Sequence, residues 1–368
     1  MMAANSAPVP FSGVRIVGTG LLGTSIGLSL REMGVSVWLA DQSSSALSLA
    51  EDYGAGRAET PNANDVDLVV VATPPDVTAG VIAAELTAFP KALVIDVASV
   101  KGGILAELQS LGADVERYVG THPMAGREKG GPTSARVDLF TGRPWVVCSR
   151  EEIDSEAMER ISRLVSALGA SEVRMTTEEH DRAVAVVSHL PQVVSSAVAA
   201  ELNRAHETDL NLAGQGVRDV TRIAGSDSAL WQQILSHNAG EVASLVRSVG
   251  ENLTRTADAL DKLGATGSKR RIAELLESGA SGVARLPGKH GRSARFASVT
   301  VIIDDKPGQL AALLTEVGEI GVNLEDMTLE HSPGAAVGFV ELFVEPSSAS
   351  TLADDLDGRG WRIAGERS

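Results

Sequence analysis

Residues 13–41, GVRIVGTGLLGTSIGLSLREMGVSVWLAD, decide the fold. VRIVG (14–18) reads as a buried strand, LLGTSIGLSLREMG (21–34) as a helix and VSVWLAD (35–41) as a second strand. Between the first strand and the helix, Gly18-Thr19-Gly20-Leu21-Leu22-Gly23 fits G-x-G-x-x-G, and the strand–turn–helix setting gives that motif its meaning. Gly18 is expected to allow the tight turn, Gly20 to let the backbone approach a pyrophosphate, and Gly23 to let the helix pack on the sheet. Leu21 and Leu22 open the helix, whose N-terminus then faces the phosphates. Asp41 ends the second strand, where a carboxylate can accept both ribose hydroxyls and repels a 2′-phosphate. Gln42, Ser43 and Ser44 follow it, with no Arg to receive such a phosphate, so NAD is expected rather than NADP. The competing reading, a glycine-rich turn without a ligand, does not account for strand, helix and Asp41 together.

Working outward, DLVVVATP (67–74) and ALVIDVAS (92–99) are further strands, almost continuously apolar. Such strands between helices predict a parallel sheet covered on both faces. Thr73 and Pro74, in ATPP (72–75), are placed beside the adenosine. WVVCS (145–149) and ASEVRMT (170–176) read as later strands of the same sheet, giving a Rossmann domain over residues 1–176. From residue 177 the texture becomes helical, opened by a Thr cap with acidic residues in the first turn. The helical domain is assigned to 177–284 and a Gly/Pro/basic linker to 285–296. Residues 297–368 read βαββαβ, a small ferredoxin-like domain. The fold class is thus α/β, with a helical and a ferredoxin-like domain appended.

Composition narrows the function. A chain of 368 residues favours two or three domains. The formal net charge of −16 argues against nucleic-acid or anionic-membrane partners, which need a basic face. Cys148 is the sole cysteine, so no disulfide can form within the chain, no cysteine-based zinc site is possible and no metal is expected. A reducing cytoplasm fits. MMAANSAPVPFSG does not read as a signal peptide, and no segment reads as a membrane span.

Three segments carry chemistry: Asp96–Gly102 (DVASVKG), Thr121–Gly126 (THPMAG) and residues 216–231 (GVRDVTRIAGSDSALW). The first two lie at strand ends, where an open α/β sheet puts its ligands. DVASVKG, THPMAGREKGG, SHLPQ (188–192) and RDVTRIAGSDSALW, in that order after GTGLLG, resemble the prephenate dehydrogenase family, which includes prephenate-, arogenate- and dual-specific enzymes. The similarity spans roughly residues 13 to 260. The tail resembles an ACT domain, a regulatory module that often binds an amino acid.

The resemblance implies oxidation and decarboxylation of a cyclohexadienol to the aromatic ring of tyrosine. His122 matches the catalytic base, which takes the hydroxyl proton while NAD takes hydride; a structural histidine is the plainer alternative. Ser99 would hydrogen-bond His122 or the substrate hydroxyl, or else cap the following helix. Lys101 ranks below it, as a solvated surface lysine. Arg222 matches the substrate-binding arginine, whose planar fork suits a carboxylate; the alternative is an ion pair with Asp219 or Asp227. His189 falls in the substrate-side motif, and Trp231 would line the pocket, the dimer interface or plain core. The chain departs from the family's SHLPH by carrying Gln192, a neutral donor and acceptor, and this raises arogenate towards parity with prephenate. In the tail, Asp305, Gly308, Gln309 and Leu310, with Asn323, are the expected effector contacts for tyrosine or a related amino acid; a tail that only helps dimerise is the competitor. A homodimer is expected. The competing functions are a β-hydroxyacid dehydrogenase, which would use a lysine of the helical domain, and a non-catalytic NAD-sensing regulator.

Overall fold

A computed structural model of the chain describes residues 9–125, 130–286, 296–331 and 337–367. Most of the expected linker, and Gly126–Lys129 of the second motif, lie outside the described residues. The chain forms two compact units, Met1–Ala200 with Thr221–Ser248, and Glu201–Val220 with Val249–Ser368.

The first unit is built on seven strands: β1 (Gly13–Val17), β2 (Ser36–Ala40), β3 (Leu68–Val71), β4 (Leu93–Asp96), β5 (Tyr118–Pro123), β6 (Pro144–Cys148) and β7 (Ser171–Met175). Their order is β2-β1-β3-β4-β5-β6-β7. β1 to β5 are parallel, as expected. The last two depart from the expectation: β6 pairs antiparallel with β5, with His122 opposite Val146, and β7 runs parallel to β6. An apolar strand buried on both faces reads the same in either direction, so direction is set by how the loop after β5 returns.

Helices α1 (Leu21–Glu32), α2 (Ser44–Asp52), α3 (Pro75–Ala88), α4 (Gly102–Ser110) and α5 (Ser155–Ala167) cover the sheet. Alternation along β3 shows why its apolar run is continuous. Leu68 and Val70 join Ile26, Leu30, Ile161 and Leu164 in one core, whereas Val69 and Val71 join Ile82, Leu86, Ile104 and Leu108 in the other. Full burial of such a side chain stabilises by about 1.5–3 kcal/mol, and one polar residue in β3 would break one of the two layers.

The helical stretch begins with α6 (Thr177–Val184), a π-helical turn (Ala185–His189) and α7 (Leu190–Glu201). Thr176 opens it as the sequence predicts: its hydroxyl accepts from the Glu179 N–H at 3.2 Å, and the Glu179 carboxylate accepts from the Thr176 N–H at 2.9 Å. Contrary to the expectation of no such segment, the run Thr177–Arg204 is long and apolar enough to cross a membrane by length and composition. Its buried stripe, however, is largely polar: His180, Asp181, His189, Gln192 and Ser195. Short α8 (Glu207–Leu210) and α9 (Gln215–Thr221) precede α10 (Ser228–His237), whose Ile234 joins the core of α3 and α4. α11 (Ala239–Asp261) begins in the first unit and ends in the second, followed by α12 (Ser268–Val283).

The C-terminal part reads β8 (Ala297–Asp304), α13 (Gln309–Ile320), β9 (Asp326–His331), β10 (Val337–Val344), α14 (Pro346–Gly358) and β11 (Arg362–Arg367). The antiparallel order β11-β8-β10-β9 is the expected βαββαβ sheet. Val299, Val301, Val340 and Leu342 face Leu313, Val317, Leu352 and Leu356 of the two helices.

Candidate active site

The glycine turn fits a dinucleotide. Gly18 sits at φ +101°, in the left-handed region open to glycine, and a Cβ there would lie 2.4 Å from the Ala72 carbonyl oxygen. A Cβ on Gly23 would lie 1.9 Å from the Gly18 oxygen, so α1 reaches the turn only without one. Around Gly20 no described atom beyond its own stretch of backbone lies within 4 Å of that position, leaving room beside the start of α1, at Leu21 and Leu22, for a ligand's phosphates. Asp41 already serves this turn. Its Oδ2 accepts from the Thr19 N–H at 2.6 Å and hydroxyl at 2.9 Å, and its Oδ1 from the Ser43 N–H at 2.8 Å. A carboxylate has about four acceptor sites, so a ribose hydroxyl can still be received. Thr73 meets Thr78 through their hydroxyls at 3.0 Å, and Pro74 caps α3 beside this turn.

At the other strand ends, β5 presents His122 half-buried. Its Nδ1 lies 2.9 Å from His180 Nε2, and His180 Nδ1 lies 2.8 Å from Asp181 Oδ1. The carboxylate fixes the tautomers. It can only accept, so His180 carries its proton on Nδ1 and accepts at Nε2; His122 must then donate from Nδ1, which leaves its Nε2 as a bare lone pair. The Asp181 carboxylate is itself held by the N–H groups of Lys101 at 3.0 Å and Gly102 at 2.7 Å. Burial alone would raise its pKa, but the bonds from His180, Gly102 and Lys101 outweigh burial and lower it. His122 has its pKa held well below the usual imidazole value, first by burial and then by His180, Lys101 and His189.

The same assembly continues to α10. The Asn238 amide donates to the Asp181 carbonyl at 2.7 Å and lies 3.2 Å from His189 Nδ1. His189 is buried, its pKa pushed down to about 4 chiefly by burial, and it meets Trp231 edge-on at 6.0 Å. Trp231, half-buried, packs against the core of α3 and α4 as well. One turn beyond His189, Gln192 is buried, with a long 3.5 Å contact from its amide nitrogen to the Ser196 hydroxyl. Among the described residues its Oε1 and the Ser195 hydroxyl have no hydrogen-bond partner.

The structure thus brings His122, His189 and Trp231 into one network, with Gln192 on the same stripe. Ser99 is half-buried and its hydroxyl has no hydrogen bond among the described residues. It does not cap α4, whose N-cap is Lys101, and the Nδ1 bond of His122 goes to His180 instead. The surface reading of Lys101 is overturned: the side chain is fully buried and paired with Asp96. Arg222 stands exposed on the 3-10 turn Arg222–Gly225 leading into α10. Sequence reading passed over His180, Asp181 and Asn238. The one available signal was His180-Asp181 at the start of a helix that carries His189 further along the same face. In the tail, Gly308 (φ +89°) begins α13 beside exposed Asp305 and half-buried Gln309 and Leu310, and the Asn323 amide donates to Glu325 at 2.7 Å.

A glycine turn with room for a pyrophosphate, a carboxylate at the end of β2 and an imidazole at the end of β5 with a bare Nε2 are the features of a dinucleotide-dependent dehydrogenase. Two family models match the chain: the nucleotide-binding domain of prephenate dehydrogenase over residues 26–174 and its dimerization domain over 176–277. A probable prephenate dehydrogenase of Streptomyces niveus, NovF, is 38% identical over 354 residues, 94% of this chain and 98% of that protein. The chain belongs to the prephenate dehydrogenase family. Among solved structures, prephenate dehydrogenase of Aquifex aeolicus with hydroxyphenyl propionate and NAD+ matches 73% of this chain and 98% of its own, at 26% identity and TM-score 0.64. A Synechocystis arogenate dehydrogenase shares the fold at 24% identity and TM-score 0.60, over 73% of this chain and 99% of its own.

Proposed function

We propose that this NAD-dependent dehydrogenase of the prephenate family works through His122 as its base. NAD, when bound, supplies the hydride acceptor, and the ring carboxylate leaves as CO2 as the ring becomes aromatic, giving 4-hydroxyphenylpyruvate from prephenate. His122 Nε2 receives the hydroxyl proton. The charge that develops on the imidazole is stabilised along Nδ1 to His180 and Asp181, in the way a buried carboxylate stabilises the imidazolium of a hydrolase triad. Ser99, with its hydroxyl uncommitted, orients the substrate hydroxyl, and Arg222 holds a substrate carboxylate in a planar fork. The observation that carries the reading is the chain His122–His180–Asp181, which dictates an unprotonated nitrogen at a strand end of a dinucleotide-binding sheet. The test is His122→Asn with both substrates. NADH formation should be lost while NAD binding persists; turnover near the wild-type rate would remove His122 from the mechanism.

A second reading, arogenate as the preferred substrate, is favoured by the unpartnered Gln192 Oε1. A ligand ammonium seeks an acceptor, and a keto acid offers none of the donors that would satisfy it. Measuring kcat/KM for both substrates in the wild type and in Gln192→His decides it; an unchanged ratio would take Gln192 out of the argument.

The remaining assignments belong to the same reading: residues 177–284 as the substrate and dimerisation domain of a cytoplasmic homodimer, and 297–368 as an ACT-like module that binds tyrosine or a related amino acid at Asp305, Gly308, Gln309, Leu310 and Asn323.

A further inference from the structure

The molecule holds a second buried polar cluster, tied to the strand that carries His122. Lys101 is fully buried, and its ammonium pairs with Asp96, the last residue of β4. Asp96 Oδ2 accepts from the Tyr118 hydroxyl at 2.6 Å, its Oδ1 from the Ala98 N–H at 2.8 Å, and its carbonyl from the Thr121 hydroxyl at 2.6 Å. Tyr118 and Thr121 lie on β5, the strand that carries His122.

Gly120 shows where the lysine runs. Side chains two apart on a strand share a face, so position 120 lies on the face of His122, about 6.6 Å away along the chain. A Cβ at Gly120 would lie 3.1 Å from Lys101 Cδ and 3.2 Å from the Tyr118 hydroxyl. The lysine stem therefore lies against the place a side chain at position 120 would take, on the strand face that carries the imidazole. The same residue's N–H donates to Asp181, the carboxylate that orders the histidine pair.

A buried ion pair is a weak source of stability, because desolvating both charges offsets their attraction. Its placement on the base's strand and face has an electrostatic consequence instead. We propose that Lys101 is a positioning residue for His122: its buried cationic head keeps the imidazole unprotonated at working pH, opposing the carboxylate of Asp181, which favours the imidazolium. This rests on His122 being the base. The titratable groups about His122 are His180 and, through it, Asp181 from α6; Lys101 with Asp96 and Tyr118 from the ends of β4 and β5; and His189 from the π turn. Burial acts first on His122, and a charge on it would meet His180, the Lys101 ammonium and His189, all of which act in the same downward direction.

The experiment is a titration of the histidine ring carbons by NMR, with the His122 signal assigned by its loss in His122→Asn, alongside the pH profile of kcat/KM. In Lys101→Met the His122 midpoint and the acid limb should both rise, by about one pH unit for a charge removed at this range. Lys101→Met alone strands Asp96 in the core, so Lys101→Met/Asp96→Asn is measured as well; its amide still accepts from Tyr118 and no buried charge is left unpaired. In that folded double variant the opposing Asp96 charge leaves as well, so a smaller rise is expected, and a rise there supports the inference. A midpoint that rises in neither variant, with NAD binding intact and His122→Asn inactive, overturns it and leaves the base assignment standing. An active His122→Asn enzyme removes the base assignment and this inference with it.

Discussion

At the residue scale the proposed chemistry depends on which nitrogen of His122 carries the proton, and the answer lies outside its own strand. Asp181 accepts, His180 transmits, and His122 Nε2 is left bare. Breaking the relay at its anchor should therefore cost turnover: Asp181→Asn is expected to lower kcat by about a hundredfold or more, the range of general-base effects, with NAD affinity within a few-fold of wild type. Initial rates and calorimetry check this, and a kcat within a few-fold of wild type would make the relay purely structural. The direction of the His122 shift makes a second prediction. Burial, His180, Lys101 and His189 all disfavour its charged form, so the acid limb of kcat/KM should lie below the ordinary imidazole value of about 6.5. A limb at or above that value would show that the hydrogen-bonded carboxylate dominates instead.

At the element scale, the turn between β1 and α1 separates two uses of glycine. At Gly23 a methyl group meets the Gly18 carbonyl at 1.9 Å, backbone against backbone, so Gly23→Ala should lose stability by on the order of 2 kcal/mol and weaken NAD binding as the turn shifts. At Gly20 the protein leaves space, so Gly20→Ala should melt with the wild type and still bind NAD more weakly, because the methyl group stands where the phosphates approach. Thermal denaturation with NAD titration checks the pair; equal melting losses in both would contradict the division. The π turn Ala185–His189 is an element no periodicity announces, since one extra residue per turn is invisible in an apolar pattern. It follows the relay histidine and ends on His189, so the buried stripe crosses it to reach Gln192.

At the scale of the whole molecule, two shifted histidines make stability depend on pH. His122 and His189 are both lowered in the fold, His189 to about 4. Each is neutral in both states above about 6.5, where neither affects stability. As pH falls below that, the unfolded chain binds protons that the folded chain refuses, so stability declines from about 6.5 down through the folded values. Urea midpoints should therefore fall across pH 6.5 to 4, and His189→Asn should flatten part of that slope; a midpoint that rises on acidification would contradict the shifts. The tail adds a regulatory prediction. Titration calorimetry should show binding heat with tyrosine, lost in Asn323→Ala; no heat with tyrosine, phenylalanine or tryptophan would leave the tail a purely structural module.

The sequence by itself determined the parts whose physics is local. Glycines at a strand-to-helix turn, continuous apolar strands, a Thr cap and the βαββαβ order are readable because each depends on a few neighbouring residues. So are the family motifs that single out His122. Tertiary structure decided the rest. The direction of β6 is set by the return of a long loop, and an apolar strand looks alike both ways. Lys101 looks like a solvent lysine until Asp96 and the slot at Gly120 enclose it. His180 and Asp181 acquire their role only when α6 reaches the end of β5, because a hydrogen bond across 58 residues of chain leaves no trace in spacing.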